Sequence, residues 1–86
     1  MPRICEFYGI IVSMYRSDHA PPHFHVRYGE YKAVYTIAPV GIIKGRLPKR
    51  AHGLIVEWAG RRQADLKGNW ARAQRHDDPQ RIPPLD

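Results

Sequence analysis

The strongest constraint on the fold lies in residues 23–37. His23-Phe24-His25-Val26-Arg27-Tyr28 alternates polar and apolar residues, Gly29-Glu30 follows, and Tyr31-Lys32-Ala33-Val34-Tyr35-Thr36-Ile37 is again rich in β-branched and aromatic side chains. Alternation with period two belongs to a strand buried on one face. A two-residue loop with Gly first is the type II′ hairpin turn. The turn therefore pairs the two segments and sets their register, with Tyr28 opposite Tyr31, Val26 opposite Ala33 and Phe24 opposite Tyr35. A slip of one residue would turn every side chain over, so this register decides which groups share a face. One face offers Phe24, Val26, Ala33 and Tyr35 to a helix layer, and the other carries His23, His25, Arg27, Lys32, Val34 and Thr36.

The rest of the chain is read around that hairpin. Phe7 to Tyr15 is β-branched and aromatic and predicts a first strand. It ends in Arg16-Ser17-Asp18-His19-Ala20-Pro21-Pro22, where two prolines remove two ladder donors and make a loop that feeds the next strand. Ile42-Ile43-Lys44-Gly45, after a turn at Ala38-Pro39-Val40-Gly41, is a candidate short fourth strand. Pro48 suits the first position of a helix, and Ala51, Leu54, Ile55 and Trp58 follow at amphipathic spacing. Gly60-Arg61-Arg62 interrupts this helix, and Leu66, Trp70 and Ala73 mark a second, less regular one. The expectation is an α+β domain over residues 1–75: an antiparallel sheet of three or four strands, then two helices packed on one face. Residues 76–86, with Pro79, Pro83 and Pro84, are expected to form a flexible tail that frays unless a partner orders it.

Eighty-six residues allow one thin core, with only about 60% of the unfolded surface buried, and exclude deep multi-layer enzyme folds. No run approaches the roughly 20 apolar residues of a membrane span, and Met1-Pro2-Arg3 opens no secretory segment, so a soluble cytoplasmic protein is expected. The single cysteine, Cys5, can neither close an internal disulfide nor build a thiolate zinc site, and suits a buried position. The net charge of +6 is uneven: residues 1–43 hold four Lys and Arg against three acids, residues 44–86 ten against five. Lys32, Lys49, Arg50, Arg61 and Arg62 are accordingly candidates for contacting RNA or DNA, although solvated helices carry such charge without any polyanion.

Three of the five histidines, His19, His23 and His25, fall within seven residues beside Asp18. On a strand, positions i and i+2 point the same way, about 6.6–6.8 Å apart, so His23 and His25 can address one ligand. One reading is a divalent transition-metal site in which His23 and His25 supply two nitrogens, His19 or Asp18 a third donor, and water a fourth. Another is metal-independent RNA cleavage: His23 and His25 serve as the acid/base pair, with His19 and Arg27 in support and Arg27 or Lys32 stabilising the phosphoryl charge. The plain alternative makes them half-exposed strand residues, with Asp18 closing an Asx turn. His52 and His76 read as surface residues, and Trp58 and Trp70 as core.

Met1-Pro2-Arg3-Ile4, Glu6-Phe7-x-Gly9, Asp18-His19-x-Pro21-Pro22-His23-Phe24-His25-Val26, Leu47-Pro48-x-Arg50-Ala51, Glu57-Trp58-Ala59 and Asn69-Trp70 together resemble the bacterial family known as domain of unknown function 4160. The resemblance spans nearly residues 1–75, and its signature positions here are Asp18, His19, Pro21, Pro22, His23, Phe24 and His25, with Arg50 and Trp58 in the helix. It implies a small stand-alone protein encoded beside another short protein, a layout that suggests a two-gene toxin–antitoxin or regulatory module. It brings no established activity. Family members more often have a polar, acidic run where this chain has Gly60-Arg61-Arg62 and Gly68, which separates its basic patch from the family pattern. The leading expectation is thus a toxin of such a module acting on RNA or a related phosphate substrate through His23 and His25, with the product of the neighbouring gene as partner. The alternatives are a non-enzymatic module that binds protein or nucleic acid, and a metal-binding protein.

Overall fold

The computed structural model describes residues 3–86. Five strands, β1 (Arg3–Phe7), β2 (Ile10–Ser13), β3 (His23–Tyr28), β4 (Tyr31–Thr36) and β5 (Gly41–Gly45), precede two helices, α1 (Lys49–Arg61) and α2 (Gln63–Gln74). The sheet is antiparallel throughout, with its strands in chain order. The α+β architecture agrees with the sequence, but the strand count is five rather than three or four.

The extra strand, β1, lies almost wholly ahead of residues 7–15, which the sequence reads as one strand and which share only Phe7 with it. Tyr8 and Gly9 both adopt left-handed backbone, at φ 49° and 79°, and fold the segment into a two-residue hairpin between β1 and β2. An aromatic residue rarely occupies that region, so its propensity hid the turn. The Gly29-Glu30 hairpin has the expected register, with Phe24 opposite Tyr35, Val26 opposite Ala33 and Tyr28 opposite Tyr31. At Gly45, φ is 74° and an added Cβ would meet the Lys32 carbonyl oxygen at 2.1 Å, so only glycine fits where β5 closes against β4.

The expected apolar face is the core. Phe24 stacks on Tyr35 with ring centroids 5.7 Å apart, and Trp58 of α1 meets Phe24 and Phe7 at 5.9 and 5.8 Å. Ala51, Ile55, Trp58 and Ala59 bury the inner stripe of α1, whereas Leu54 is only half-buried. In α2 the buried residues are Leu66, Asn69 and Ala73, and Trp70 is half-buried.

Asn69 explains the path of the last residues. Its amide nitrogen donates to the Gln80 carbonyl and its oxygen accepts the Gln80 N–H, both at 2.8 Å. Beyond it the Ile82 N–H donates to the Ile4 carbonyl at 2.7 Å, and Trp58 Nε1 donates to the Pro83 carbonyl at 2.9 Å. Residues 76–86, for which the sequence offers no periodic pattern and suggests fraying, lie as an extended strap along the domain, with Ile82 in the core. Among the described residues no helix is long and apolar enough to cross a membrane.

Candidate metal centre

β3 starts directly after Pro22, whose carbonyl accepts the Ile37 N–H at 3.2 Å, so His23 and His25 project from the end of a strand fixed on both sides. The loop before it is held by the end of α2. The Ser17 N–H donates to the Ala73 carbonyl, Gln74 Nε2 donates to the Asp18 carbonyl at 3.0 Å, and Arg16 pairs with Asp78. Ser17, at φ 56°, turns the chain so that the Asp18 side chain faces the two imidazoles.

There the three groups converge. Asp18 Oδ2 lies 2.9 Å from His23 Nε2 and 3.1 Å from His25 Nε2, and one ligand atom from each residue lies within 4.8 Å of the others. His23 Nδ1 faces the Pro21 carbonyl at 2.7 Å. A carbonyl only accepts, so Nδ1 carries a proton, and Nε2 either carries a second one or gives its lone pair to an electrophile. The His23 ring is packed 5.2 Å from Trp70 and 5.3 Å from His25, and Tyr15 meets His25 edge-on at 4.3 Å. Burial of Asp18 pushes its carboxyl pKa up, but the hydrogen bonds from His25 and His23, the charge of His23 and the His19 N–H outweigh this and hold it below the usual value. Asp18 is therefore an anion prepared to accept protons or a cation.

The geometry narrows the alternatives that the sequence leaves open. His23 and His25 do share a face and stand side by side, but His23 does not emerge into solvent: it is 8% exposed, because Trp70 and the loop cover it. The third group is Asp18 rather than His19. His19 is exposed and supplies only its backbone N–H, to Asp18 Oδ1 at 3.1 Å. Asp18 thus does shape its loop locally, yet its other oxygen serves both imidazoles.

Arg27, two residues along the strand from His25, stands opposite Lys32 and lines a concavity on the open face of the sheet. Lys49 and Arg50 lie exposed at the start of α1, in the helix layer on the opposite face from Lys32. Arg61 pairs with Glu57 at 2.7 Å and Arg62 approaches Asp65 at 4.0 Å. None of these four lines either of the two concavities that Lys32 borders. Cys5 is buried, and that burial pushes its thiol pKa up.

Several participants have no local signal in the sequence. Trp70, Ala73 and Gln74 reach the centre only through tertiary packing. His52, read as a surface residue, shares a 2.7 Å hydrogen bond with the hydroxyl of Tyr35, whose burial raises its pKa.

A family model described as Domain of unknown function (DUF4160) matches residues 9–71. The chain belongs to the DUF4160 family. The DUF4160 match takes in Asp18, His23, His25, Arg27 and Lys32 as well as Trp70, and ends before Ala73 and the strap. No curated protein and no solved structure matches the chain.

Proposed function

We propose that the protein binds a divalent transition-metal ion through Asp18, His23 and His25, leaving a coordination position open for water or substrate. The observation that supports this most is the meeting of both Nε2 atoms at one carboxylate oxygen while His23 Nδ1 is tied to the Pro21 carbonyl. A ligating histidine typically donates its other ring N–H to a backbone carbonyl, which fixes the tautomer and aims the lone pair. With zinc–nitrogen bonds near 2.0–2.1 Å, neighbouring donors of a tetrahedral centre lie about 3.3 Å apart. The present separations of 2.9 and 3.1 Å need only a small outward movement. The donor set of two imidazoles and one carboxylate suits zinc, iron, nickel or manganese.

A metal-free acid/base pair is less well supported, because each imidazole then needs a nitrogen facing the substrate and both nitrogens of His23 are engaged. In a two-gene module of the kind the family resemblance suggests, the metal centre would be the working part of the toxin, in the cytoplasm and restrained by the neighbouring gene product.

Metal analysis and native mass spectrometry of tag-free protein test the proposal. Close to one equivalent of a transition metal is expected, falling to background in His25→Ala and in Asp18→Asn. Less than about a tenth of an equivalent after incubation with each candidate ion, with no rise in melting temperature, would overturn it.

A further inference from the structure

The open face of the sheet holds a concavity that shares only His25 with the metal centre. Its volume is about 330 Å³, and it is lined by Arg3, Ser13, Tyr15, His25, Arg27 and Lys32. That volume is at the lower end of the range for small-ligand pockets. Its wall is built in two cross-strand rows. Arg3, Ser13 and His25 are paired neighbours in one, and Glu6, Ile11, Arg27 and Lys32 in the next, with Glu6 at the end of its row outside the lining.

The charges in this wall are unbalanced. Arg27 and Lys32 stand directly opposite each other on β3 and β4. Like charges in that position repel. Among the described residues neither has a carboxylate within ion-pair distance, and no acidic residue lines the concavity. Among the described residues Arg3 pairs with Glu6 alone, at 3.3 Å and half-exposed on both sides, which constrains it weakly. The other large concavity, about 380 Å³, differs in having Glu30 in its wall beside Lys32 and Arg46. Three cations around a hollow lined by no acid, two of them forced together by the strand register, are complementary in sign and in hydrogen-bond donors to a phosphate group.

We infer that this concavity binds a phosphate ester of nucleotide size, with Arg27 and Lys32 holding the phosphate and Arg3 closing the rim. The inference goes beyond the metal centre and does not need it, although His25 belongs to both and would bring the phosphate beside the ion. The size of the hollow suits a single nucleotide unit. The basic residues of α1 lie in the helix layer on the other side of the sheet and provide no continuing track. The nucleotide could be free or the terminal unit of a chain.

Calorimetric titration in phosphate-free buffer at about 0.15 M salt, where distant charges are screened, tests this with three probes: inorganic phosphate, adenosine 5′-monophosphate and a twelve-residue oligouridylate carrying a 5′-phosphate. Binding of the monophosphate at one site per chain is expected, weakened about tenfold or more by Arg27→Ala and by Lys32→Ala. Lys67→Ala, which removes an equal charge from an exposed position on α2, should leave it unchanged. Equal affinity for the oligonucleotide and the monophosphate assigns the terminal unit as well as the free nucleotide. No binding of any probe would overturn the inference, as would an equal loss in Lys67→Ala, or oligonucleotide binding without monophosphate binding. Metal content measured on the same samples separates the two sites. Metal bound without the monophosphate removes this inference alone, and the monophosphate bound without metal removes only the metal reading.

Discussion

The two faces of the central sheet are made by the same strands, residue by residue in alternation, and they meet different physical demands. On the covered face Phe24, Val26, Ala33 and Tyr35 are fully or almost fully withdrawn from water against α1. On the open face the intervening positions His25, Arg27 and Lys32 keep contact with solvent: His25 meets Asp18, and Arg27 and Lys32 line the neighbouring hollow. Stability and chemistry are thus separated by one position along the chain. Because the strand period is two, the register that buries Phe24 also aims His25. His23 crosses this division. It belongs to the open face by alternation, yet Trp70 packs on it and the Asp18 loop closes over it, so one imidazole is held rigidly and the other borders the concavity.

The contrast can be broken most severely from the covered side. Trp58 is completely buried between Phe7 and Phe24, and Trp58→Ala is expected to cost about 3–5 kcal/mol in denaturant unfolding, while metal binding persists wherever the variant is folded. A cost below about 1 kcal/mol would show that the helix layer does not hold this face. Next, Asn69→Ala leaves the Gln80 N–H and carbonyl without their partners and is expected to cost about 1–3 kcal/mol. Limited proteolysis should then cut after Arg75 or Arg81 much faster than in the parent. Unchanged cleavage would mean that Asn69 does not anchor the strap.

How much of this contrast can be read from residues alone depends on range. The hairpin of β3 and β4 is legible because its turn residue, its alternation and its aromatic pairs all lie within fifteen residues. The Tyr8-Gly9 turn is not, since a tyrosine in left-handed backbone contradicts its own propensity. The pairing of His23 with His25 follows from strand periodicity, but choosing Asp18 over His19 requires knowing that Gln74 and Ala73, more than fifty residues away, hold the loop. The same holds for Trp70 over His23, for His52 against Tyr35, and for the strap, where one buried asparagine outweighs three prolines.

Smaller effects belong to the open face. The folded protein holds the Asp18 pKa below the usual 3.8, so its ionisation favours the folded state. That stabilisation is fully present above the unfolded value and is lost as pH falls through the folded one. In metal-free protein, urea midpoints of the parent should fall more steeply below about pH 4 than those of Asp18→Asn, and parallel curves would contradict this role for the carboxylate. Smallest of all, Arg27→Ala and Lys32→Ala should change stability by no more than about 0.5 kcal/mol, with a slight gain from relieved repulsion. A loss above about 1 kcal/mol in either would mean that these cations support the fold and are not reserved for a ligand.

The central claim concerns three atoms, His23 Nε2, His25 Nε2 and Asp18 Oδ2, and histidine ring nitrogens report on it directly. Long-range proton–nitrogen NMR correlation of the ¹⁵N-labelled protein during zinc titration should move both Nε2 resonances to metal-bound positions at one equivalent. His23 Nδ1 should keep its proton, and the His19 ring should remain unchanged. Zinc that shifts His19 instead, or that leaves the His23 and His25 rings where they were, would contradict the account.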